Sequence, residues 1–232
     1  MTVLVMLGAV ASFFSLSSTV PQVHRAFRSR SAEGVSWGSL LLNLSAVVLW
    51  CVYSATVVDH VQLFNNTVSF GLLLVLAVAL LRTGGRRWGP DAVAALLAVL
   101  VAGVVAVAVV EVFNAFVLAM VGTVISSVRM WPQTRLALCR APLWGLDPWA
   151  TALGWVGWLL WALYGARAGD DAVALCSLTG LVMQSVVLAF RLPPRRTLRS
   201  IAGGRLGPFA ARVASPVSDR FALRADDFEL VA

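Results

Sequence analysis

Apolar residues fill this chain in long runs broken by short polar connections. A helix needs about 20 mostly apolar residues to cross a hydrocarbon core about 30 Å thick. Seven stretches qualify: Val3–His24, Ser36–Val58, Val61–Leu81, Asp91–Val112, Phe113–Leu138, Pro148–Ala168 and Ala172–Leu192. The pattern predicts an all-α integral membrane protein with seven transmembrane helices. Met1–Ala11 is apolar without a basic leader and runs straight into the first span, so it reads as membrane helix rather than cleaved signal. Beyond Leu192 the apolar pattern stops at Pro193-Pro194, and residues 193–232 are mixed, Arg-rich and broken by Gly and Pro. A disordered cytoplasmic tail is expected there, its arginines either solvated or set against anionic head groups.

The chain also repeats itself. The Pro-Gln pair at Pro21-Gln22 returns 111 positions later as Pro132-Gln133, and the same offset lays Gly34 on Gly145, Trp50 on Trp161, Tyr53 on Tyr164 and Asp59 on Asp170. Coincidence of rare residue types in one ungapped register indicates a duplicated unit of about 75 residues. Each unit holds three spans, an odd number, so direct fusion would leave the copies facing opposite ways. The fourth span, almost wholly Ala, Val, Leu and Gly, reverses the chain and brings them parallel. The expected organisation is 3+1+3: a first three-helix repeat over residues 1–82, a linker with the fourth span over 83–112, a second repeat over 113–192, then the tail.

Composition agrees with a membrane setting: of 232 residues 59% are hydrophobic and 12% charged, with a mean hydropathy of +0.86. The net charge of +7 is carried by arginine alone, since the chain has no lysine, a bias that with the heavy Ala and Val usage suggests a bacterial source. Arginines cluster after the first, third, fifth and seventh spans, whereas Asp59, His60, Glu111, Asp170 and Asp171 with Arg167 occupy the other side. The positive-inside rule then places a multi-pass protein in the cell membrane, N-terminus outside and C-terminus in the cytoplasm. Orientation thus accounts for the basic excess, and nothing resembles an aromatic-interleaved platform for nucleic acid. Cys51, Cys139 and Cys176 have no paired spacing and read as small buried residues, without disulfide or metal site. No metal-ligand cluster or nucleophile–base pair suggests an enzyme, and no cofactor is implied. The absence of lysine excludes a retinal Schiff base, although a membrane ligand sensor stays open.

Val20-Pro21-Gln22, Ser31-Ala32-Glu33-Gly34-Val35-Ser36, Trp50-Cys51-Val52-Tyr53, Asp59 and Asn66 together resemble the PQ-loop superfamily, and within it the SWEET and SemiSWEET sugar transporters. The likeness extends over Leu7–Leu81 and Leu118–Leu192. It implies a central pocket between the repeats in which Trp50 and Asn66, sixteen residues apart, face Trp161; the position sixteen beyond Trp161 is Ser177, with Cys176 beside it, so the second asparagine is missing. An indole can pack on a sugar's C–H face and an amide can serve ring hydroxyls, yet the same tryptophans could fill helix interfaces while Asn66 joins helices. Asn43, Asn65, Trp155 and Trp158 are further candidates for the lining. Pro21-Gln22 and Pro132-Gln133 are expected hinges, with a static kink as the alternative. The resemblance suggests an outer gate of Tyr53, Asp59, Tyr164 and Asp170 that Arg167 could bridge, against the plainer reading of an aromatic belt and solvated carboxylates.

Arg129 lies three residues before Pro132, inside the fifth span, where the first repeat has Ser18. A local ion pair with Asp147 is the first expectation, followed by contact with an anionic substrate and by snorkelling to the interface. The resemblance implies a transporter of a small polar solute, foremost a mono- or disaccharide, by facilitated diffusion through alternating access. A proton-coupled carrier of amino acids or organic solutes shares the motif. The expected partners are the solute and the lipid bilayer, and self-association is left open.

Overall fold

The computed structural model describes residues 2–28, 37–83, 88–139, 148–191 and 200–222. Seven long helices occupy the seven expected stretches: α1 (Thr2–Arg28), α2 (Trp37–Thr56), α3 (His60–Thr83), α4 (Trp88–Val112), α5 (Ala115–Leu138), α6 (Pro148–Ala168) and α7 (Asp171–Arg191). Six are long and apolar enough to cross a membrane. The exception is α6, whose many Trp and Gly residues lower its mean hydropathy. It is as long as α7 and packs between α1 and α7.

The neighbours of each helix close a ring. In the first unit α3 lies between α1 and α2; in the second α7 lies between α5 and α6. The units meet along two seams, α1 against α6 and α2 against α5. The 111-residue offset carries α1 onto α5 and α2 onto α6, so it exchanges one seam for the other. α4 stands outside this ring, chiefly on α2, with Ala102 and Ala106 buried and Leu96, Leu100, Val101 and Val104 exposed. In hydrocarbon an exposed apolar face is ordinary, and small residues allow the close approach that van der Waals packing needs.

The α1·α6 seam shows this most clearly. A Cβ on Gly157 would lie 2.7 Å from the Ser15 hydroxyl oxygen and 3.2 Å from the Ser15 backbone nitrogen, so the two backbones are nearly in contact there. Elsewhere in the same seam a Cβ on Gly8 would lie 2.5 Å from Val61 and 2.8 Å from the Tyr164 ring. Any side chain at Gly8 would push Tyr164 out of place.

The turns joining α2 to α3 and α6 to α7 are built alike. Asp59 N–H donates to the Ser54 carbonyl at 2.9 Å, and Asp170 N–H donates to the Gly165 carbonyl at 2.9 Å. These are the six-to-one bonds of a Schellman ending, which requires a left-handed residue just before the donor. That residue is Val58 (φ 58°) in the first unit and Gly169 (φ 72°) in the second. Each aspartate then caps the next helix: Asp59 Oδ1 accepts from Val61 and Gln62 N–H at 3.0 Å, and Asp170 Oδ1 accepts from Val173 N–H at 3.0 Å. One residue thus ends a helix and begins the next.

The disorder expected of the tail does not hold throughout. An eighth helix, α8, spans Pro208–Ala222, starting at a proline that needs no intrahelical donor. Leu206 precedes it, and Phe209 and Val213 stand exposed one turn apart, while among the described residues α8 packs on no other helix. Gly and Pro mask the amphipathic period of this segment in the sequence.

A β-branched residue in the left-handed region is strained by about 1–3 kcal/mol. Glycine would relieve this, less about 0.5–1 kcal/mol for its freer unfolded chain. Val58→Gly is therefore expected to stabilise the protein by about 1 kcal/mol, read as a rise of about 2–4 °C in the unfolding midpoint in detergent.

Candidate functional site

A cavity of about 290 Å³ lies inside the ring. Its wall runs from Gln62, beside the two aspartate turns, to Gln133 and Thr151 near the other end of the helices. All four residues expected to face one another do line it: Trp50 from α2, Asn66 from α3, Trp161 from α6 and Ser177 from α7. Asn43, Asn65, Trp158 and Arg129 line it too. Trp155 does not; its indole N–H donates to Ser185 Oγ at 2.8 Å.

Both pocket tryptophans reach across a seam. Trp161, 7% exposed, donates its indole N–H to Ser15 Oγ of α1 at 3.0 Å, and the Trp50 indole lies against Gly122 of α5. Asn66 Nδ2 donates to Ser54 Oγ at 3.2 Å, and Ser54 in turn donates to the Trp50 carbonyl at 2.6 Å. The Asn66 amide group is thereby oriented.

Each pocket tryptophan stacks edge-on against a tyrosine one turn along. The ring centroids of Trp50 and Tyr53 are 5.4 Å apart at 82°, and those of Trp161 and Tyr164 are 5.2 Å apart at 75°. The two tyrosines, 5% and 4% exposed, then cross between units. Tyr53 Oη donates to Asp170 Oδ1 at 2.8 Å, and Tyr164 Oη donates to the Asp59 carboxylate at 2.9 and 3.0 Å. Gln62 closes the gap between them, its Nε2 donating to Asp59 Oδ2 at 2.6 Å and to Asp170 Oδ2 at 3.3 Å. Since one amide reaches both turns, the α2–α3 and α6–α7 connections lie at the same end, and the two units run parallel.

Arg167, expected to bridge this cluster, is exposed and makes no contact with either aspartate among the described residues. Gln62 does the bridging instead. It is 3% exposed, and its offset partner is Val173. An amide can donate to two carboxylates without introducing a charge that must itself be desolvated.

Pro21 and Pro132 both sit within their helices. A proline cannot donate to the carbonyl four residues earlier, so Ser17 and Val128 lack their regular helical bond. Gln133 lines the cavity; the Gln22 side chain is outside the described residues. So is Asp147, the expected partner of Arg129. Of the cysteines, Cys176 is buried in the lining, Cys51 is half-buried and Cys139 is exposed, contrary to the expectation that all three are buried.

Residues 3–62 match a family model described as the PQ loop repeat. A solved structure of a eukaryotic SWEET transporter superposes with a TM-score of 0.66, covering 80% of this chain and 94% of that one at 15% identity. No curated protein matches the sequence. Fold and duplicated site together define a seven-helix, two-repeat integral membrane protein. Its first unit matches the PQ loop repeat over residues 3–62, and its fold is that of the SWEET transporter structure.

A hydrogen bond to a charged group contributes about 1.5–3 kcal/mol. Tyr53→Phe and Tyr164→Phe are each expected to loosen the crossed cluster by about that amount. In a chain with Cys51 and Cys139 replaced, either change should speed labelling of Cys176 by a membrane-impermeant maleimide about tenfold or more.

Proposed function

We propose that this protein carries a small polyhydroxylated solute across the cell membrane by alternating access, with Trp50, Asn66, Trp161 and Ser177 in the binding pocket. One observation carries the reading: a polar cavity enclosed between two copies of the same unit is shut at one end by a lock made of matching residues from both. A cavity at the low end of the range for small-molecule sites suits a sugar-sized guest. Indole faces and free amide groups are the surfaces that C–H faces and hydroxyls require.

The crossed tyrosines and aspartates form the outer gate in this reading, and Gln62 its bridge. The turns weakened at Pro21 and Pro132, with their adjacent glutamines, are the pivots about which the units rock. Residues 1–82 and 113–192 are the moving halves and 83–112 their connection. A solved structural relative is a SWEET transporter, which supports transport over sensing. Facilitated diffusion is favoured over proton coupling because no Asp, Glu or His lines the cavity among the described residues. The arginine distribution supports an outer N-terminus and a cytoplasmic tail.

Counterflow in proteoliposomes, with a panel of radiolabelled sugars, sugar acids and amino acids and with or without a pH gradient, tests the reading. Saturable uptake of at least one hydroxylated solute, indifferent to the gradient, is expected. Trp50→Ala and Asn66→Ala should each lower it about tenfold or more, the loss of one stacking or hydrogen-bonded contact in a water-poor site. Undiminished uptake in both variants would show that the solute passes elsewhere.

A further inference from the structure

Arg129 contributes the only charge in the cavity wall among the described residues. Its Nε is shut off from solvent and has no hydrogen-bond acceptor there. Guanidinium stays protonated under all ordinary conditions, so a positive charge stands in the pocket with no anion beside it among the described residues, Asp147 lying outside them. The neighbouring ionisable group is the Cys176 thiol, a weak acceptor that as a thiol carries no charge. The two carboxylates at the end of the cavity are committed: Asp59 and Asp170 accept from the tyrosines, from Gln62 and from their own helix N-termini.

A second unmet group belongs to another residue of the same wall. Asn65 Oδ1 is buried in the wall without a donor. The cavity wall therefore holds, just behind its surface, an unpaired cationic donor and an unpaired neutral acceptor. Under the 111-residue offset Arg129 corresponds to Ser18 and Asn65 to Cys176, so both features break the symmetry of the two units. Only a ligand with unlike ends uses both.

We propose that the carried solute is a polyhydroxylated carboxylate, a sugar acid, whose carboxylate pairs with the Arg129 guanidinium and one of whose hydroxyls donates to Asn65 Oδ1. The planar fork of an arginine matches a carboxylate in a two-pronged pair. An ammonium group would find no counter-carboxylate among the described residues of the lining, which sets a zwitterionic amino acid at a disadvantage. A neutral sugar would leave the guanidinium unanswered, in a place where an unpaired charge is costly. The proposal rests on the transport reading for its biological sense, but the binding it asserts can be measured without transport.

The test uses the full chain in detergent, with quenching of tryptophan fluorescence to follow gluconate, glucose, alanine and chloride. Wild type should bind gluconate at least about tenfold more tightly than glucose, the difference that one charge-assisted pair supplies. Arg129→Gln should abolish the preference, Arg129→Lys should keep part of it, and Asn65→Ala should weaken gluconate several-fold. Equal affinity for gluconate and glucose, gluconate preference intact in Arg129→Gln, or chloride binding as tightly as gluconate would each overturn the proposal. If Arg129→Gln fails to fold, the wild-type ratio and Arg129→Lys decide it. Proteoliposome uptake separates the two claims. Gluconate bound but never carried would sink the transport reading and leave the site. Glucose carried with gluconate ignored would do the reverse.

Discussion

Two crossed hydroxyl–carboxylate pairs hold this protein in the form described. Packing alone gives weak preference for one arrangement of helices in oil, because lipid tails are as apolar as the side chains they would replace. Directional polar bonds between the halves set which arrangement is adopted. Beside the Trp161–Ser15 bond in the cavity wall, they are concentrated where Tyr53 reaches Asp170 and Tyr164 reaches Asp59, and each depends on structure behind it. The carboxylates are fixed because each caps a helix; the tyrosines are fixed because each leans on a pocket tryptophan and, for Tyr164, because Gly8 leaves it room. The state of the end cluster and the shape of the cavity are thus mechanically linked through single helical turns.

Much of this was legible from the residues. The seven apolar runs mark the helices, and the offset that pairs Trp50 with Trp161 and Tyr53 with Tyr164 marks the two units, because duplication places equivalent side chains at equivalent depths; the pocket and its four residues follow from the family resemblance. What escaped was whatever lacks a partner in the offset. Gln62 corresponds to Val173, so no coincidence marks it, and Arg167 enters only as a charge near the gate that the family resemblance suggests. Serines of the wall such as Ser15 and Ser126 do coincide under the offset, but serine is too common for the match to stand out. The tail helix was obscured because Pro216 and the glycines before Pro208 weigh against a helix in any local reading, whereas a proline at a first turn is harmless.

The cavity shows what the duplication has and has not kept. Both indoles and both tyrosine–aspartate pairs are retained, and these frame the space and close it. The polar groups within it have diverged: Asn43 against Gly154, Asn65 against Cys176, Asn66 against Ser177, Ser18 against Arg129. The frame has stayed symmetric while its contents have not.

The paired turns at Val58 and Gly169 carry the same lesson to the backbone. Both trace one left-handed bend, yet only one has the residue for which that bend is effortless. Two ancestral copies inside a single molecule make it a natural experiment, in which the loop's shape has survived exchange of the amino acid at its pivot. The shape must therefore be imposed by what surrounds it, the aspartate that follows and the helix it opens, and the valine is a tenant there rather than the architect.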